Sequence, residues 1–234
     1  MSELYKTNPR IVPKPTGWGQ YRNSLTSFFL SEYVNIDDKL PDPAKLGVLL
    51  ADLHKTSVSP TGKFGFFMTT FDGRLPQTTD WDSSWTSYFA KLLAGILKLD
   101  VEINGPWPEL EEATAKVILH VVPRLLNALV ADGRTIKPSL IHGDLWEGNI
   151  GTDFATGDIY IFDCCSYYAH NEMELGIWRT EHHRMKAKAY RKEYLRNFPP
   201  SEPVDEWDDR NRLYCTKTKL MYSAHVPGSQ VRGQ

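Results

Sequence analysis

The sequence predicts an α+β protein of two unequal parts, a small β segment followed by a mainly helical body. Three observations carry this. Residues before position 37 mix aromatic and β-branched residues with prolines and glycines. From Asp42 onward apolar residues recur with the helical period. Between 141 and 163 a polar loop runs into two short strand patterns around a turn. The expected division is 1–36 for the β part and 37–234 for the helical part.

Taken in order, residues 9–19 carry three prolines and two glycines and read as an extended approach to a strand pair. Leu25–Val34 is a strand by its Phe, Leu, Tyr and Val content. Leu46, Leu49, Leu50 and Leu53 form one apolar helical stripe ending near His54. Residues 58–80, with Pro60, Gly62, Gly65, Gly73 and Pro76, form a long loop, which Phe64-Gly65-Phe66-Phe67-Met68 should pack down. Helices are expected from about Trp81 to Lys98 and from Glu109 to Ala131. Val117, Ile118, Val121 and Leu125 share a face of the second, and Pro123 should bend it. Two more helical stretches are expected at about 171–195 and 205–222.

Composition narrows the function classes. A 41% hydrophobic and 24% charged chain of 234 residues is ordinary for a globular protein with a sizeable core. Net charge is −2 with no basic block, so neither nucleic acid nor an anionic membrane is expected as partner. There is no apolar run of about 18 residues and no signal-peptide core after Met1. Three cysteines, two of them adjacent, suggest free thiols in a reducing, cytoplasmic setting.

The chemistry concentrates in Ile141-His142-Gly143-Asp144-Leu145-Trp146-Glu147-Gly148-Asn149 and Ile161-Phe162-Asp163. H-x-D-x-x-x-x-N followed by an apolar strand ending in Asp is the polar core of a kinase-type phosphoryl-transfer site. One carboxylate must orient an acceptor hydroxyl and take its proton. An amide oxygen and a second carboxylate, both hard donors, must hold Mg²⁺ against nucleotide phosphates. Gly151–Asp158 reads as the turn that returns Asp163 to the same metal.

His142-Gly143-Asp144-Leu145-Trp146-Glu147-Gly148-Asn149 resembles the H-G-D-L-W-x-G-N signature of the fructosamine/ketosamine 3-kinases, relatives of the aminoglycoside and choline phosphotransferases. Leu49–His54, Phe64-Gly65-Phe66 with Gln77, Trp81 and Trp85, Tyr167–Leu175 and Asn211–Tyr214 resemble further blocks of the same family. The resemblance implies a protein-kinase-like two-lobed fold with Asp144 as catalytic base and Asn149 and Asp163 as Mg²⁺ ligands. It implies that Glu32-Tyr33-Val34 is the hinge whose backbone pairs with adenine. The implied reaction moves the γ-phosphate of ATP to the sugar 3-hydroxyl of a ribulosamine or fructosamine, free or on a glycated protein lysine, a deglycation repair.

Two features depart from the family. Its phosphate-covering loop, strand lysine and paired helix glutamate precede the hinge, whereas this sequence opens almost at the hinge. A truncated N-terminal lobe is therefore expected, since neither Gly17 and Gly19 nor Lys14 fits those roles. After Asp163, Cys164-Cys165-Ser166 replaces Pro-Ala, and Asn171 and Glu174 stand in place of arginine and aspartate, a change expected to bear on acceptor specificity. Alternatives are an inactive kinase-like binding module and a phosphotransferase acting on a small alcohol such as an aminoglycoside or choline.

Several residues have plainer readings. His142 should brace loop carbonyls, and Asp153 and Asp158 should be turn residues. His182-His183 should lie on a solvated helix face, and His120 should be a core or boundary residue. Cys164 and Cys165 should be packing residues rather than a redox handle. Trp81 and Trp85 should share one helix face in the core.

Overall fold

The computed structural model describes residues 1–23, 26–37 and 39–227. A short helix α1 (Ser2–Thr7) precedes the hairpin β1 (Pro15–Gln20) and β2 (Ser27–Ser31). The strand expected over 25–34 is thus shorter, and Leu25 lies outside the described residues. Leu4, Ile11 and Val12 are fully buried, so the stretch before β1 packs into the helical body rather than onto the hairpin. β3 (Ile36–Asp37) leads into α2 (Pro43–Thr56). Asp42 caps α2 by accepting the Lys45 amide at 2.8 Å, and Pro43 takes the first turn, where its missing N–H costs nothing.

The loop at 58–80 contains a small hairpin, β4 (Phe71–Asp72) and β5 (Leu75–Pro76). Helix α3 (Trp85–Asn104) starts later than the sequence suggests, because Ser84 caps it. Trp81 and Trp85 therefore do not share a helix face. Trp85 opens α3 in the core, while Trp81 packs half-buried 6.0 Å from the Tyr168 ring.

α4 (Pro108–Lys116) and α5 (Val122–Leu126) join through a π turn at Val117–Val121, where the Val122 amide reaches back to the Val117 carbonyl. Pro123 follows at once. Its ring cannot sit against the carbonyl four residues back, and the wider turn relieves that clash where a kink was expected. Pro108–Gly133 is, by length and composition alone, long and apolar enough to cross a membrane. Its Val122, Leu125, Leu126 and Leu129 lie in the core, and His120 is exposed rather than a core or boundary residue.

Then come β6 (Ser139–Ile141), β7 (Ile150–Asp153), β8 (Ile159–Ile161) and β9 (Tyr167–Ala169), followed by 3₁₀ turns over 171–179, α6 (Lys188–Asn197) and α7 (Trp207–His225). β6 pairs antiparallel with β9, while β7 lies between β3 and β8. α2 packs closely on α6. A side chain at Gly47 would sit 2.7 Å from the Glu193 backbone, so glycine permits the approach. The two small sheets thus stand side by side on a helical base, joined by loops 142–149 and 162–166.

Candidate active site

Those two loops carry the motif residues, and His142 ties them together. Its Nδ1 accepts the Asp144 amide at 3.3 Å, so Nε2 bears the proton and donates to the Phe162 carbonyl at 2.8 Å. Burial holds this imidazole below its ordinary pKa, which keeps it neutral. Its expected bracing role is what the geometry shows. The Cys165 amide closes the other side of the bridge on the His142 carbonyl at 3.0 Å. Gly143 adopts φ 89°, and a side chain there would meet the Cys165 carbonyl oxygen and sulfur at 2.9 Å.

Within the frame, Asn149 Nδ2 donates to the Asp144 carboxylate at 2.9 Å and to its carbonyl at 2.8 Å, and lies 3.4 Å from the Asp163 carbonyl. The Asn149 amide is thereby oriented with its nitrogen committed. Burial, reinforced by the Asp72 carboxylate, pushes Asp144 up to about 6. A base with a pKa near the working pH suits proton abstraction from a hydroxyl. Asp163 follows β8 in the left-handed region at φ 56°, a conformation costly for a non-glycine residue and concentrated at functional sites.

Asp163 and the segment Glu32-Tyr33-Val34 line one cleft of about 510 Å³, together with Phe29, Ile36 and Phe162. Asp144 and Asn149 do not line it; Asn149 is tied to it through the Asp163 carbonyl. The Glu32 amide is committed to the Lys14 carbonyl at 2.9 Å, and the Tyr33 side chain is exposed. The donor set fits Mg²⁺. Asn149 Oδ1 and the Asp163 carboxylate are hard oxygens, and Mg²⁺ takes one or two protein ligands with phosphates and water completing its octahedron. Among the described residues no cluster of three or more His, Cys, Asp or Glu could hold a metal by itself.

The loop is supported by residues whose part the sequence did not reveal. Glu174 accepts the amides of both His142 and Gly143 from beneath. Asn171 donates to the Tyr194 hydroxyl at 2.9 Å, and Tyr194 donates to His54 Nδ1 at 2.8 Å. That leaves the His54 Nε2 proton facing Glu174 at 3.5 Å. Both substitutions expected to touch acceptor specificity thus lie in a buried relay under the catalytic loop. Trp178 adds a bond from Nε1 to the Leu145 carbonyl at 2.7 Å.

His182 and His183 do not lie on a helix, and only His182 is exposed. His183 is buried between the Trp146 ring, the Tyr222 hydroxyl and Glu147, whose Oε2 is 3.3 Å from Nδ1. Asp153 is the expected turn residue, accepting the Ala155 and Thr156 amides. Cys165 is buried, and burial pushes its thiol well above the ordinary range, as suits packing.

A loop Asp held by Asn, a following Asp in the left-handed region and a cleft lined by that Asp and Glu32-Tyr33-Val34 are the arrangement of a kinase-like phosphotransferase fold. The fructosamine kinase family profile matches residues 1–229, and the chain belongs to that family. It is 31% identical over 178 residues to the chloroplastic protein-ribulosamine 3-kinase of Oryza sativa subsp. japonica, covering 76% of this chain and 49% of that protein. It is also 31% identical over 205 residues to the ketosamine-3-kinase of Mus musculus, covering 76% and 62%. The chain spans about half the length of the plant relatives it matches. Among solved structures, a fructosamine-3-kinase from Thermobifida fusca aligns with TM-score 0.74 at 22% identity, over 99% of this chain and 73% of that one. An aminoglycoside phosphotransferase aligns with TM-score 0.59 at 16% identity, over 95% and 74%. At these identities the structures speak for the fold.

Proposed function

We propose that the chain carries the catalytic apparatus of an ATP- and Mg²⁺-dependent ketosamine 3-kinase, phosphorylating the sugar 3-hydroxyl of a ribulosamine or fructosamine. The acceptor is a free ketosamine or one borne on a glycated protein lysine, and the setting is cytoplasmic, without nucleic acid or membrane as partner. The observation that carries this reading is the Asn149 bond to the Asp144 carboxylate, which aims a base whose pKa is raised to about 6.

In this reading Asp144 orients the acceptor hydroxyl and takes its proton as the phosphoryl group arrives in line. Asn149 Oδ1 and the Asp163 carboxylate hold Mg²⁺, which neutralises phosphate charge. The backbone of Glu32-Tyr33-Val34 pairs with adenine in the cleft it lines. Residues 1–36 serve as the part of the first lobe that reaches the nucleotide, and 37–234 as the lobe that holds the loops.

Transfer of label from γ-labelled ATP to ribulosyl-lysine and fructosyl-lysine tests this directly. Asp144→Asn should lower turnover by at least about a hundredfold while leaving nucleotide affinity within about twofold. Normal turnover by that variant would remove Asp144 from the role of base.

A further inference from the structure

Helix α7 carries an ammonium into the interior beside the catalytic loop. Lys217 is 4% exposed, and its Nζ donates to Asp72 Oδ2 at 3.0 Å. The other oxygen of Asp72 faces His225 Nε2 at 3.2 Å. Lys217 and His225 are eight residues apart, on one face of α7, and together they latch the tip of the β4–β5 hairpin. The hairpin's base is fastened to loop 162–166 where that loop abuts Gly143. Gln77 Nε2 and Thr70 Oγ1 both donate to the Cys165 carbonyl, at 2.8 and 3.4 Å, and Gly143 packs against that same oxygen. Asp72, two residues beyond Thr70, is thereby held near the Gly143-Asp144 end of the loop. The charges report the same proximity: the Asp72 carboxylate raises Asp144, and Lys217 opposes it.

A latch alone would not need these charges. Apolar residues of similar volume hold such contacts as well or better, because two buried ions must be stripped of water. The pair keeps a carboxylate ionised in a confined place. Burial works against that charge, but Lys217 and His225 overcome it and hold Asp72 well below the usual carboxylate range. Each of those partners occupies one lone-pair direction, a carboxylate has about four, and Asp72 keeps a 13% exposed edge.

We propose that Asp72, held by Lys217 and His225, is a sugar-hydroxyl subsite beside Asp144. It accepts a hydrogen bond from a hydroxyl neighbouring the one that Asp144 orients. This rests on the ketosamine kinase reading and deepens it: the site selects polyhydroxylated acceptors over alcohols with a single hydroxyl. A bond from a hydroxyl to a fixed carboxylate is charge-assisted, and a site built for one rejects analogues lacking it. Lys217 is a positioning residue, acting through Asp72.

The test compares ribulosyl-lysine with its singly deoxygenated analogues, using wild type, Asp72→Ala and the double variant Asp72→Ala/Lys217→Met. The double variant leaves no unpaired buried ammonium, so it guards against simple misfolding. Both variants should raise the acceptor KM about tenfold with the ATP KM unchanged. The penalty should disappear for the one analogue that lacks the partner hydroxyl. An equal penalty on every analogue, or none on any, overturns the subsite. Acceptor binding by calorimetry separates the two readings. Binding without transfer, weakened by Asp72→Ala, keeps the subsite and refutes the kinase reading. Transfer with an unchanged acceptor KM does the reverse, and a chain that neither binds nor transfers refutes both.

Discussion

Glu174 accepts the Gly143 amide at 2.9 Å across a separation of 31 residues, and its other oxygen takes the amide of His142. The carboxylate is buried, yet the donors around it hold its pKa below the usual value against the pull of burial: the His54 side chain first, with the Gly143 amide adding to it. The charge is thus spent on the main chain of the catalytic loop, where each amide would otherwise be a buried donor without a partner.

Removing that carboxylate should be costly. Glu174→Ala leaves two amides and His54 unsatisfied at once, and we expect about 3–5 kcal/mol of lost stability. Urea denaturation of the variant checks this. Glu174→Asp, which restores the family's residue, keeps the charge but not the reach, and should lose less. A midpoint for Glu174→Ala within experimental error of wild type would show that the loop stands without its support.

Gly143 gives a second prediction, located at the backbone. Its φ of 89° and the 2.9 Å approach to Cys165 act together, so Gly143→Ala must strain one residue and displace another. The expected cost is about 2 kcal/mol or more. Because Asp144 is the next residue, turnover should fall more than stability explains. Measuring kcat at a temperature where the variant remains folded separates these effects, and an unchanged kcat would show that the loop absorbs the shift elsewhere.

The central motif was legible because its chemistry is local. Asp144 and Asn149 are five residues apart, and the turn at Asp153 that returns β8 is written in Asp, Thr and Gly. The mainly helical body was legible from the leucine stripe of α2, where Leu46, Leu50 and Leu53 are fully buried. What was not legible depends on distant partners. Nothing near His183 in sequence announces that Trp146, Glu147 and Tyr222 surround it, so an apparent surface pair hid one buried member. Glu174 read as a specificity substitution because its amides lie far back in the chain. Trp81 and Trp85 have helical spacing, but Ser84 caps α3 between them, and a cap overrides a period.

His170 carries the pH prediction. Its ring is fully buried between two hydroxyls, with Nδ1 2.8 Å from Tyr214 and Nε2 2.9 Å from Ser201. Tyr214 already accepts the Trp85 indole N–H at 2.9 Å, so its own proton points at His170 Nδ1. The imidazole is therefore neutral with its proton on Nε2, and a second proton would face the tyrosine's hydrogen in a fully buried site. Burial, with the Arg210 charge adding to it and Glu172 opposing, lowers the pKa from 6.5 to about 4. Since the folded value lies below the unfolded one, this contribution is fully present above pH 6.5. It is lost progressively as pH falls to about 4, and stays constant below that, for a total of about 3 kcal/mol. At pH 5 the unfolded chain should take up about one proton more than the folded chain at this residue alone, a slope of about 1.4 kcal/mol per pH unit. His170→Gln can keep one bond to each hydroxyl but cannot titrate. Its stability between pH 6.5 and 4.5 should fall less steeply than wild type by that one proton. Parallel profiles for the two proteins would show that His170 is not the group that charges, and would shift the acid sensitivity to His142 and His183, whose pKa values burial also lowers.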